Sequence, residues 1–135
     1  MDCKKQGEIT ELRFYLMAFE KGLIISKPFG DNQKYDFIVD AKGRLSRVQV
    51  KSVSMKDKYS RGRMRYRINA SFGATHKHVY SKEIIDFLVV FVIPENTWYV
   101  VPIEAIPGIK TLAFRPDRES KGKLEIYREA WNLFE

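Results

Sequence analysis

Residues 34–52 read KYDFIVDAKGRLSRVQVKS, two runs with β-type patterning, Lys34 to Ala41 and Arg44 to Ser52, around Lys42-Gly43. Two such runs joined by a tight glycine-containing turn predict a β-hairpin. If Lys42 and Gly43 form a two-residue turn, Ala41 faces Arg44 and each outward step keeps the sum of the paired numbers constant. Asp36 then stands opposite Gln49. Residues directly opposed on an antiparallel pair project from one face, and the period of two puts Lys51 on the face of Gln49. A carboxylate, an amide oxygen and an ammonium are therefore expected within a few ångströms of one another, provided that no bulge shifts the register.

Outward from the hairpin, the stretch from about Lys4 to Gly22 has apolar residues at helical steps: Ile9, Leu12, Leu16, Phe19 and Leu23. These predict a helix with one apolar stripe, closed by Gly22. Glu8 and Glu11 also fall at helical spacing, so their carboxylates project together. A short strand is expected at Ile24 to Lys27, ended by the breaker-rich Pro28-Phe29-Gly30-Asp31-Asn32. Further strands are expected near 65–71, 86–93, 98–101 and 111–114, and a short helix near 124–134. The whole reads as one domain, 1–135, of the α+β class, with a helix followed by mostly antiparallel strands. No repeat or linker divides it.

The 135 residues are 44% hydrophobic and 30% charged, a balance that excludes disorder and suffices for a buried core. The single cysteine, Cys3, cannot make an internal disulfide, which fits a reducing compartment. The longest apolar run, Phe87 to Pro94, is too short to span a bilayer. A cytoplasmic, non-membrane protein is the expectation.

Net charge is +7, and the cations are concentrated. Lys51, Lys56, Lys58, Arg61, Arg63, Arg65 and Arg67 stand against a single acid, Asp57, with Tyr59 and Tyr66 interleaved. Such a segment attracts polyanions, because each phosphate neutralised releases condensed counterions. If Arg63, Arg65 and Arg67 alternate on one strand face, a β-ribbon could lie in a major groove. Lys27 and Lys77 are further candidates for DNA binding. The bland alternative is a solvated basic loop.

The hairpin groups suit a hard cation, which takes oxygen ligands and only one or two carboxylates from protein. Asp36 and the Gln49 side-chain oxygen would hold Mg2+, helped by the Val50 carbonyl, with Glu11 or Glu8 completing the site. Lys51 would orient an attacking water and offset charge developing on a phosphate. The same residues also fit a structural reading, an Asp36–Lys51 salt bridge beside an ordinary strand glutamine. His76 and His78 lack the third ligand that zinc asks for.

Gly7-x-x-x-Glu11, then Pro28-x-Gly-Asp-x-x-x-Tyr35-Asp36-x-x-Val39-Asp40, then Arg47-Val-Gln49-Val-Lys51-Ser52 resembles the PD-(D/E)XK nuclease superfamily. The pattern is similar to archaeal Holliday-junction resolvases and looks most like the small group that includes an intron-encoded homing endonuclease of cyanobacteria. Thr97-Trp98-Tyr99-x-x-Pro102-Ile103 and Trp131 extend the resemblance over nearly the whole chain. It implies a restriction-endonuclease-like core, a mixed β-sheet flanked by helices, with Asp36 as the metal-bridging aspartate, Lys51 as the lysine and Glu11 as the helix glutamate. Gln49 departs from the usual acid, which weakens the site's charge. The function implied is Mg2+-dependent, sequence-specific cleavage of double-stranded DNA of the homing type. The alternatives are a structure-specific junction resolvase and a non-catalytic DNA-binding module on a decayed nuclease fold. Two strands need two sites, so a homo-oligomer is expected. The resemblance implies a tetramer, with a dimer as the minimum, through paired exposed strands or the C-terminal Trp131, Leu133 and Phe134.

Overall fold

The computed structural model describes residues 2–73, 76–116 and 122–135. A helix, α1 (Cys3–Glu20), precedes ten strands: β1 (Ile24–Ser26), β2 (Phe37–Ala41), β3 (Arg44–Val53), β4 (Lys56–Lys58), β5 (Met64–Asn69), β6 (Ser71–Phe72), β7 (His78–Val79), β8 (Phe87–Val92), β9 (Thr97–Pro102) and β10 (Thr111–Phe114). Five form one sheet in the order β1-β2-β3-β8-β9, and β10-β5-β4 form a second. The pairing of β3 with β8 is parallel and the other pairings are antiparallel. The sheet is thus mixed, because the chain between β3 and β8 crosses over instead of turning back tightly.

The hairpin has the expected register. Five pairs run from Phe37↔Val48 to Ala41↔Arg44. Lys42 and Gly43 both have positive φ, 55° and 92°, the two-residue turn whose twist matches that of the flanking strands. Asp40 closes it by accepting the Gly43 N–H at 2.8 Å.

Helix α1 starts at Asp2, whose Oδ1 accepts the Lys5 N–H at 2.7 Å. It ends in a Schellman arrangement. Gly22 sits at φ 84°, and the Leu23 and Gly22 N–H groups donate to the Ala18 and Phe19 carbonyls. The expected apolar stripe is not the buried face. Thr10, Phe14 and Ala18 are buried, whereas Leu12, Leu16 and Phe19 are 71%, 59% and 65% exposed. The reason is size: a close helix–sheet approach favours the Thr10–Phe14–Ala18 face, whose small residues flank one ring.

Two apolar cores flank the five-stranded sheet. On one side Phe14 and Ala18 pack with Phe37, Val48, Val50, Val89, Trp98 and the C-terminal Trp131 and Phe134. Phe14 lies 5.4 Å from Phe37 and 5.8 Å from Trp131, ring centre to ring centre. On the other side Leu88, Val90, Tyr99 and Val101 pack with Tyr66, Ile68, Tyr80 and Phe114. The C-terminal segment forms two 3-10 turns, Glu125–Tyr127 and Trp131–Phe134, where a short helix was expected. Its Trp131 and Phe134 fill the core, so they are not a contact surface for another copy.

Candidate active site

The β2–β3 ladder stops at Phe37, one residue short of Asp36. The Asp36 N–H donates to the Val48 carbonyl at 2.8 Å, and its Oδ2 accepts the Val50 N–H at 2.8 Å. One carboxylate oxygen is thereby fixed by main chain, leaving Oδ1 for another partner. Gln49 and Lys51 alternate with Val48 and Val50, which belong to the helix-side core, so both project from the opposite face. Their ladder neighbours on β8 are Leu88 and Val90, members of the second core.

Helix α1 brings Glu11 to the same place. Glu11, Lys27, Pro28, Gly30, Asp31, Gln33, Tyr35 and Asp36 line a pocket of about 220 Å³. Gly30 and Asp31, expected in a loop, form part of its wall. Lys27 Nζ lies 3.2 Å from Glu11 Oε1. Glu8 lines the neighbouring apolar cavity with Glu11, Leu12, Tyr15, Lys27 and Phe37, and is not among the residues lining the Asp36 pocket. The start of α1 is tied to β3 by Gln6 Nε2, which donates to Ser52 Oγ at 3.0 Å.

The electrostatics follow from this packing. Burial pushes the Asp36 carboxyl up to about 6, against the Val50 hydrogen bond; the Glu11 carboxylate adds to the rise, and Lys27 and Lys51 oppose it. Burial also lowers the Lys51 ammonium from its ordinary value; Asp36 resists this and Lys77 reinforces it. Tyr80 joins the site without any signal in the local sequence. Its ring centre lies 5.9 Å from Lys51 Nζ, and burial, with the Asp36 charge, pushes its phenol up to about 12. Only the structure reveals it, because Tyr80 arrives from a distant loop with no motif around it.

Among the described residues, no three His, Cys, Asp or Glu side chains gather as a metal cage. A hard divalent cation does not need one, since it keeps several waters and takes one or two carboxylates. The Asp36 and Glu11 carboxylates on the pocket wall fit that pattern; Gln49 and Val50, the other expected ligands, are not among the residues lining it. The pocket also accepts positive charge, because the Lys27 ammonium rests against Glu11 and favours ionised Asp36.

The basic segment lies on the second sheet. Lys56 and Lys58 flank Asp57 on β4. Arg61 stands in a turn at φ 56° and Arg63 is extended just before β5. Arg65 and Arg67 share the face of β5 opposite the buried Tyr66 and Ile68. Both pair with Asp57, at 3.6 and 2.8 Å, and Arg65 lies over the Tyr59 ring at 4.7 Å. Lys77 is exposed beside β7, and His78 packs its ring 5.5 Å from Phe72.

No curated protein matches the sequence. The fold is similar to that of the bacterial homing endonuclease I-Ssp6803I, with a TM-score of 0.82 and 28% identity over 98% of this chain and 93% of that one. The mixed sheet packed against α1 is accordingly a restriction-endonuclease-like fold. The sequence profile of the PD-(D/E)XK endonucleases matches residues 1–134, and the chain belongs to that endonuclease family.

Proposed function

We propose that this endonuclease is a Mg2+-dependent, sequence-specific enzyme of the homing type that hydrolyses phosphodiesters in double-stranded DNA. The observation that carries the reading is the convergence of Asp36 from the hairpin and Glu11 from α1 on one pocket, with Lys51 close enough to favour the charged form of Asp36. Likeness to a homing endonuclease of nearly equal length supports the homing assignment.

When bound, Mg2+ supplies Lewis acidity, polarising the scissile phosphate and acidifying an attacking water. Asp36, Glu11, the Gln49 oxygen and the Val50 carbonyl would hold it. The Val50 N–H fixes the Asp36 rotamer, so its free oxygen is aimed before substrate arrives. Lys51 sits in a partly dehydrated position, where its ammonium acts strongly on charge developing at the phosphate. Tyr80, a neutral phenol, walls the Lys51 side. Lys56, Lys58, Arg61, Arg63 and Lys77 hold the DNA backbone or read its groove edges, joined by whatever Arg65 and Arg67 release from Asp57.

Cutting both strands calls for two copies. The exposed Leu12, Tyr15, Leu16 and Phe19 face of α1 is the surface we assign to self-association, in a dimer or a tetramer.

The test is cleavage in Mg2+ of a random-sequence duplex library and, in parallel, of a synthetic four-way junction. Cutting at one long duplex site is the expected result. Junction-only cutting would make the protein a resolvase, and binding without cutting would make it a decayed module.

A further inference from the structure

Lys27 and Glu11 are unequal partners. The lysine side chain is 63% exposed and the glutamate 26%, so the lysine reaches in from solvent and has room to withdraw. Its ammonium meets Glu11 Oε1 at 3.2 Å and lies 5.5 Å from the Phe37 ring centre. Lys27 lines both the Asp36 pocket and the apolar cavity of about 370 Å³ beside it. It is therefore placed at the junction of the carboxylate pair and open space.

We propose that Lys27 is an exchangeable cation: it holds Glu11 in the metal-free protein, and a divalent ion at the Asp36–Glu11 pair displaces it toward a DNA phosphate. The inference rests on the metal site proposed above. A solvent-screened ion pair is weak, whereas a divalent ion bonds carboxylate oxygens directly, so the exchange runs toward the ion. Charge balance points the same way. Asp36 and Glu11 are matched by Lys51 and Lys27. Replacing the Lys27 ammonium by a divalent ion leaves one net positive charge, the complement of a phosphodiester's single negative one. Retaining both would leave two, and would keep an ammonium against an oxygen the ion needs.

The experiment is calorimetric titration of MgCl2 into the full chain without DNA, for wild type, Lys27→Met, Lys27→Arg and Asp36→Asn. Lys27→Met is expected to bind Mg2+ about two- to fivefold more tightly, the worth of a screened ion pair, while Lys27→Arg restores wild-type affinity. A second readout follows the Lys27 resonance in reductively 13C-methylated protein, assigned by its loss in Lys27→Arg. It should shift on Mg2+ addition in wild type and stay in place in Asp36→Asn. If Mg2+ binds in an Asp36-dependent way but Lys27→Met has wild-type affinity and the Lys27 signal does not move, the exchange is wrong and the metal site stands. If wild type binds no Mg2+, both fall.

Discussion

The Val50 backbone N–H and the Asp36 Oδ2 are joined by a hydrogen bond of 2.8 Å. The proposed metal ligand is thus anchored by the strand that carries Gln49 and Lys51, so three side chains are positioned by one short piece of main chain. Anchoring is also what keeps a carboxylate in a place where burial and Glu11 disfavour its charge. Function is held here against stability, the usual exchange at active sites.

That opposition can be measured. With a folded pKa of about 6 against 3.8, Asp36 binds more protons folded than unfolded between those values. Stability therefore falls as pH rises through that window, and the deficit is full above it. Asp36→Asn keeps an oxygen for the Val50 N–H and removes the charge. In EDTA it should stabilise the protein at pH 8 by about 1–2 kcal/mol, allowing for partial solvation, and leave melting at pH 4 nearly unchanged. Equal shifts at both pH values would show that charge burial is not the cause.

Lys51→Met should slow cleavage about 100-fold or more, the scale of losing a donor aimed at developing charge. Binding of duplex DNA in Ca2+ should change little, since one phosphate contact among many is lost. A purely structural lysine would instead lower thermal stability and leave the rate per folded molecule unaltered.

Arg65 and Arg67 are held by Asp57, and Arg65 also lies over Tyr59. Asp57→Asn should free both and tighten non-specific duplex binding. Arg63→Ala should weaken it and reduce the salt slope of the binding constant by about one. Fluorescence-anisotropy titrations at several salt concentrations check both. An unchanged slope in Arg63→Ala would remove that residue from the DNA surface.

The hairpin, its turn and the Glu11 helix were legible in the sequence because each depends on local spacing. Spacing alone extends the ladder one pair too far, to Asp36 and Gln49: it ends at Phe37, and the Asp36 side chain accepts from Val50 instead. The helix stripe misled because Leu12, Leu16 and Phe19 outweigh Thr10 and Ala18 in apolarity, while close packing selects the smaller face. The parallel β3–β8 pairing, the burial of Trp131 and the place of Tyr80 are long-range consequences that no local pattern carries.

The two helix faces give a paired prediction. Phe14→Ala should destabilise by about 3–5 kcal/mol, as for a ring removed from a packed core, whereas Leu16→Ala should lie within about 0.5 kcal/mol. Leu16→Glu should leave the fold intact and lower the mass seen by light scattering to that of one chain. Persistence of the wild-type mass would exclude the α1 face as the contact.

The most direct measurement is the rate of duplex-library cleavage by wild type and Asp36→Asn, each in Mg2+ and in EDTA. The expected outcome is scission by wild type in Mg2+ alone. Cutting by Asp36→Asn at the wild-type rate, or by wild type in EDTA, would contradict the metal site at Asp36.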